Sequence, residues 1–197
     1  MIDEAVAAIR AGLVVVLPTD TVYGLAADAY RVEGRDALYA LKGRDVRQPS
    51  ALVAASVDVL LAAVPELPEP IVRALLPGAF TLILPNPAAR FPWLCGEEST
   101  TIGVRVPLLA GPGRDVLDQV GAVVATSANL PGNAEPRRLD DVPPALRAAA
   151  AALVDGGELP GIPSTILDLT GQEPRVVREG AGDAATALET VARLRRR

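Results

Sequence analysis

The stretch Leu13–Leu25, LVVVLPTDTVYGL, decides how the rest of the chain is read. Its first five residues, Leu13 to Leu17, are all apolar and predict a short buried strand. Pro18 has no N–H to donate, so the ladder stops there. Thr19, Asp20, Thr21, Tyr23 and Gly24 then crowd a few positions. A rigid strand that runs into hydroxyls, a carboxylate and a glycine is one way to build a pocket. The plainer reading is a polar turn between two strands, and these residues alone do not choose between the two.

Outward from that stretch, helices and strands interleave. Residues 3–11 fit a helix with Val6 and Ile9 on one face and Gly12 at its end. Residues 33–43, EGRDALYALKG, predict a second helix with Ala37, Leu38 and Leu41 inward. Gly43 is its C-cap, which puts Lys42 and Arg44 at the helix end. Residues 51–55 read as a strand, with Ser56 as N-cap for a helix at 57–63. After Pro65, Pro68 and Pro70 comes a short helix at 70–76. Strands are expected at 80–84 (FTLIL) and 101–106 (TIGVRV), around a long loop at 85–100 anchored by Phe91, Trp93 and Cys95. Residues 114–120 suit a helix and 122–125 a buried strand that ends in Thr126-Ser127-Ala128-Asn129. A loop at 130–142, a helix at 143–151 and strands near 152–154, 164–169 and 174–178 follow. The last helix, 183–195, has Asp183 as its N-cap. This order predicts the α+β (mixed α/β) class: a twisted mixed β-sheet flanked by helices, in one domain over 1–197 with a core from about 8 to 182.

Composition narrows the chemistry. Half of the 197 residues are apolar, yet there are only three Tyr, two Phe and one Trp, so Ala, Val and Leu must build the core. There is no histidine, which removes Ser-His-Asp and Cys-His catalysis and imidazole acid–base work together. A single cysteine excludes a disulfide framework and a cysteine-based metal cluster. Cys95 itself has no histidine to activate it, and Glu97 and Glu98 disfavour a thiolate, so it reads as filler. A net charge of −5 argues against a broad nucleic-acid footprint and leaves room only for weak RNA contact in a local groove. The basic end, Arg193 to Arg197, suits a solvated helix C-terminus. No secretory signal or bilayer-spanning run is present, and a cytoplasmic protein without membrane contact is expected.

No Walker P-loop occurs. Gly180-Ala181-Gly182-Asp183-Ala184-Ala185 mimics a dinucleotide fingerprint, but too little chain follows for a second strand and its ribose-binding acid, so these glycines read as a turn into the last helix. What remains is polar groups just after apolar strands: Thr19, Asp20 and Thr21; Lys42 and Arg44; Thr101 and Arg105; Ser127 and Asn129; Ser164 and Thr165; and Arg178. Lys42 is the only lysine among 19 basic residues, a compact point charge in an arginine-biased chain. Such a set suits a nucleoside triphosphate together with a small carboxylic acid. Taken one by one, each residue is better read as part of a surface ion pair, and spacing does not show that they converge.

The order of motifs carries a resemblance. PTDTVYGL at 18–25, KGR at 42–44, LPGAFTLIL at 76–84, TTIGVRVP at 100–107, TSAN at 126–129, PSTILD at 163–168 and REG at 178–180 together resemble the YrdC-like family, the L-threonylcarbamoyladenylate synthases. The resemblance covers about residues 8–182 and points to the short form. It implies synthesis of threonylcarbamoyl-AMP and pyrophosphate from threonine, bicarbonate and ATP with Mg²⁺, feeding partner proteins that modify tRNA. It implies that Thr21, Arg105 and Ser164 hold threonine. Lys42, Arg44, Gln48, Ser127, Asn129 and Arg178 would face the nucleotide, with Thr101 at the boundary and Lys42 and Arg44 as the catalytic pair. A YrdC-like paralogue that binds nucleotide or structured RNA without catalysis is the alternative. Departures from the family pattern are Val53 or Ala54 where many members have histidine, Glu135 where a small hydroxyl residue is usual, Pro163 for glutamate and Glu179 for proline.

Overall fold

The polar knot of the opening stretch is the turn of a hairpin. In the computed structural model, which describes residues 1–97 and 99–196, strand β1 (Val15–Pro18) pairs antiparallel with β2 (Tyr23–Asp28), Leu17 opposite Gly24 and Pro18 opposite Tyr23. Glu98 and Arg197 lie outside the described residues. Thr19 organises the turn: its Oγ1 accepts the N–H groups of Thr21 and Val22 at 3.2 Å each and donates to the Val22 carbonyl at 2.7 Å. A short hydroxyl side chain thus replaces backbone partners where the chain reverses.

Seven further strands complete the sheet: β3 (Ala51–Ala54), β4 (Phe80–Pro85), β5 (Thr101–Arg105), β6 (Ala122–Ser127), β7 (Ala152–Leu153), β8 (Thr165–Asp168) and β9 (Arg175–Arg178). Their spatial order is β7-β1-β2-β6-β3-β5-β4-β8-β9. The β1/β7, β3/β5 and β4/β8 pairs are parallel and the remaining pairs antiparallel, so the sheet is mixed, as the sequence predicts. The helices are α1 (Ile2–Arg10), α2 (Val32–Lys42), α3 (Val57–Ala63), α4 (Glu69–Leu75), α5 (Pro112–Val120), α6 (Pro144–Ala149) and α7 (Ala184–Arg195). None is long and apolar enough to cross a membrane among the described residues.

Period-two alternation sends side chains to two unequal faces. Leu25, Leu52, Leu82, Ile102, Val104 and Val124 join Leu38 of α2, Leu60 of α3, Val72 of α4 and Val191 of α7 in the larger core. On the other face Leu17, Ala26, Val53 and Val123 meet Val6 and Ile9 of α1 and Val116 and Leu117 of α5. This second layer covers only part of its face. Further along the same strands the inward residues shrink to Gly24, Ala51, Gly103 and Ala125, and the sheet is left open there as the floor of a cavity.

Local signals set the ends of α2, α3 and α7. Gly43 caps α2 at φ 62°, a left-handed conformation that favours glycine. Ser56 accepts the Val59 N–H to start α3, and Asp183 accepts the Thr186 N–H to start α7. Within α2, Gly34 is a close-approach residue. A Cβ there would lie 2.2 Å from the Asp28 carbonyl oxygen, so glycine's helix cost of about 1 kcal/mol is outweighed by a clash. Three extents differ most from the sequence reading. β1 runs over Val15–Pro18 rather than 13–17: Leu13 is half exposed and precedes the strand, and Pro18 is its last residue, opposite Tyr23. β2 is a full strand, hidden because nearly all of YGLAAD is buried on both faces and shows no alternation. α6 stops at Ala149 because the Ala151 N–H is taken by the Val14 carbonyl, which starts β7 beside β1.

Candidate active site

The cavity has a volume of about 360 Å³ and lies on the uncovered sheet face. Its floor is Gly24, Ala125, Ala51 and Gly103 of β2, β6, β3 and β5: Ala51 pairs with both Ala125 and Gly103, and Gly24, opposite Ser127, lies two residues along the strand pair from Ala125. With no bulky side chain there, a ligand can lie close to the backbone. The polar groups stand around the rim, on strand ends and loops.

Arg105, at the end of β5, is nearly buried and faces the turn of the β1–β2 hairpin. Its Nη2 donates to Asp20 Oδ1 at 2.5 Å and to Thr21 Oγ1 at 2.8 Å. Asp20 Oδ2 accepts the Leu108 N–H at 3.0 Å. Asp20 therefore braces the turn through a backbone N–H and also neutralises Arg105. Burial pulls the Arg105 guanidinium down from its ordinary value, Asp20 opposes that, and the Arg178 charge adds to it. Arg105 Nε is buried without a hydrogen-bond partner. Thr21 is fully buried behind this pair.

Arg178 of β9 donates to the Ser164 carbonyl at 3.2 and 2.8 Å, and Ser164 Oγ sits 2.9 Å from Thr81 Oγ1. Pro163, Ser164, Thr81 and Arg178 line this end of the cavity.

At the opposite end the C-terminus of α2 meets the end of β6. Lys42 Nζ donates to the Ser127 carbonyl, to Asn129 Oδ1 at 3.2 Å, to Thr126 Oγ1 at 3.3 Å and to Ser127 Oγ at 3.4 Å. Ser127 Oγ donates to Asn129 Oδ1 at 2.7 Å, which fixes the loop that holds the ammonium. Burial pulls the Lys42 pKa down to about 8, with Glu135 opposing and Arg44 assisting. Arg44 reaches Thr126 Oγ1 at 3.3 Å and the Pro49 carbonyl at 2.5 Å, and its guanidinium lies 5.4 Å from the centre of the Tyr39 ring.

Of the residues the sequence singles out, Arg44, Thr101, Arg105, Ser127, Ser164 and Arg178 line one cavity. Thr21, Lys42 and Asn129 stand directly behind it through the hydrogen bonds above. Gln48 is exposed and outside the lining, and its carbonyl accepts the Tyr39 hydroxyl at 2.6 Å. Val53 lines the cavity, whereas Ala54 belongs to the core on the other face. Glu135 lines the cavity and Glu179 does not. Sequence reasoning missed Thr81 and Ser50, both in the lining; the β4 pattern FTLIL carried a signal in its one hydroxyl. The decoy glycines are packing residues: a Cβ on Gly180 would lie 2.2 Å from the Pro163 carbonyl oxygen, and one on Gly182 would lie 2.5 Å from the Phe80 ring. Cys95 is buried, and burial pushes its thiol up.

The arrangement defines a mixed α/β protein with a cavity built from strand ends and lined, among the described residues, by Arg44, Arg105 and Arg178. Residues 7–180 match the Sua5/YciO/YrdC family model, described as "Telomere recombination", and the chain belongs to that family. A threonylcarbamoyl-AMP synthase from Stenotrophomonas maltophilia is 36% identical over 162 residues, covering 79% of this chain and 86% of its own. The structure of Sua5 from P. abyssi complexed with L-threonine superposes with a TM-score of 0.87 at 29% identity, over 96% of this chain and 57% of that one. The chain thus spans little more than half of the archaeal protein. Escherichia coli YciO superposes with a TM-score of 0.80 at 27% identity, over 92% of this chain and 90% of that one.

Proposed function

We propose that the protein is a nucleotidyltransferase that makes L-threonylcarbamoyladenylate and pyrophosphate from L-threonine, bicarbonate and ATP, for transfer to tRNA by partner proteins. The observation that carries this reading is the meeting of Arg44, Arg105 and Arg178 with hydroxyl groups at one cavity over a small-residue floor, with Lys42 hydrogen-bonded to the lining residues Thr126 and Ser127. The named activity of its relatives supports it, as does the threonine bound by the archaeal neighbour.

On this reading Arg105, Thr21 and Ser164 take the amino acid. The Arg105 guanidinium lines the cavity and would meet the carboxylate, and the fixed Thr21 hydroxyl orients it. Lys42, Arg44, Thr101, Ser127, Asn129 and Arg178 take the nucleotide, with Gln48 next in sequence to the lining residue Pro49. Bicarbonate supplies CO₂ with release of hydroxide; the threonine amine bonds to the CO₂ carbon to give a carbamate, and the proton it loses leaves with the hydroxide as water. A carbamate oxygen then attacks the α-phosphorus, a new O–P bond forms, the bond to the β-phosphate oxygen breaks, and pyrophosphate leaves with that electron pair. No enzymic imidazole is needed, which suits a chain without histidine. The protein supplies position and positive charge, Lys42 and Arg44 neutralising the crowded oxygens. Mg²⁺ carried by the triphosphate would spread its charge further.

The test is incubation with Mg-ATP, bicarbonate and threonine, followed by measurement of pyrophosphate and of the acyl-adenylate. Pyrophosphate that requires both threonine and bicarbonate is expected. ATP binding without turnover would establish the non-catalytic alternative instead.

A further inference from the structure

Among the described residues that line the cavity, three are arginines and one is a carboxylate, Glu135. Its loop is fixed from both sides. Asn129 Nδ2 donates to the Asn133 carbonyl at 2.8 Å, the Asn133 N–H to the Leu130 carbonyl at 3.0 Å, and the Tyr23 N–H to the Pro136 carbonyl at 3.0 Å. Glu135 is therefore held against the cavity by the strand end that also holds Lys42. Yet its Oε2 is enclosed and has no hydrogen-bond partner. The cations nearest in sequence or charge are committed elsewhere. Lys42 lies close enough to feel the Glu135 charge but spends its hydrogen bonds on residues 126–129, and Arg137 pairs with Glu158 at 2.8 Å.

An enclosed carboxylate oxygen without a partner is costly, and a polyphosphate brought beside it adds like-charge repulsion. A hard divalent cation removes both penalties, because Mg²⁺ takes one or two carboxylate oxygens together with phosphate oxygens. No group of three or more His, Cys, Asp or Glu able to hold a metal exists among the described residues, so such an ion would arrive with the nucleotide. We propose that Glu135 is a protein ligand for the divalent cation that enters on the nucleotide's phosphates, and that it makes nucleotide binding by this chain dependent on the metal. This rests on the nucleotide reading of the cavity.

The test is calorimetric titration of ATP into the wild type, Glu135→Gln and Glu135→Ser, once with Mg²⁺ and once with EDTA. Thermal unfolding of each variant guards against a folding defect, and the serine variant serves if the glutamine one does not fold. The wild type is expected to gain roughly tenfold or more in affinity from Mg²⁺, and the variants to bind metal-free ATP roughly tenfold better than the wild type and to lose most of the gain from metal. An equal Mg²⁺ gain in wild type and variants overturns this role of Glu135 and leaves the nucleotide reading standing. Absence of ATP binding to the wild type in both buffers overturns both.

Discussion

Replacing Asp20 by alanine tests whether the opening turn is braced as described. The Asp20–Arg105 pair is close to fully enclosed, with side-chain exposures of 10% and 11%. Removing one partner leaves a guanidinium uncompensated and the Leu108 N–H without its acceptor. Breaking a buried pair in this way costs about 3–5 kcal/mol. In a chain of this length each kcal/mol lowers Tm by about 2–4 °C, so Asp20→Ala is expected to melt on the order of 10 °C below the wild type. Differential scanning calorimetry gives that number directly. A second arm ties it to the site. In Asp20→Ala the free Arg105 can accept a ligand carboxylate, so saturating L-threonine should raise the Tm of the variant more than that of the wild type. The double variant Asp20→Ala/Arg105→Ala should recover part of the loss, because the buried charge is gone. A single variant that melts within about 2 °C of the wild type would refute the brace.

Four further outcomes follow from the same geometry. Lys42→Ala should abolish pyrophosphate formation while leaving the circular dichroism spectrum and Tm near the wild type; full turnover would contradict its role. Because the unliganded Lys42 pKa is pulled down to about 8 and phosphate favours the ammonium, nucleotide binding above that pH must take up a proton. Affinity should then fall by up to about tenfold per pH unit above 8 and be flat below it, and Lys42→Arg should remove the fall; titrations at pH 7, 8 and 9 decide. Gly103→Val raises the cavity floor, and its Cβ meets only ordinary contacts at 3.7–4.0 Å, so substrate binding should be lost at unchanged or slightly higher Tm. Gly34→Ala forces α2 away from the Asp28 carbonyl and should cost about 1–3 kcal/mol by chemical denaturation, with lower activity because Lys42 ends the same helix.

Much of the frame was legible because its signals are local. Gly43, Ser56 and Asp183 end or start helices through their own backbone or side-chain geometry, and FTLIL and TIGVRV carry the pattern of strands. β2 was not legible, since a strand buried on both faces and made of small residues has no alternation to read. The site was legible as a list and not as a place. Arg105 and Thr21 lie 84 residues apart in sequence and Lys42 and Asn129 lie 87 apart, and only the sheet order brings each pair together. The opening stretch offered a turn or a pocket; it is both, because Thr19 makes the turn and also lines the cavity. Asp20 was the hardest residue to place, since its partner Arg105 is specified by tertiary contact alone.

The floor of small residues has a consequence for how such a protein can change over time. Gly24, Ala51, Gly103 and Ala125 offer a ligand backbone and empty space, and almost no chemistry of their own. On the proposed reading selectivity resides in the rim, in side chains such as Glu135, Pro163 and Arg178 that belong to neither apolar cluster. Drift at the rim can therefore alter which molecule is accepted with little toll on folding. A descendant could acquire a new ligand by a few exchanges there, inheriting a scaffold already neutral toward whatever lies on it.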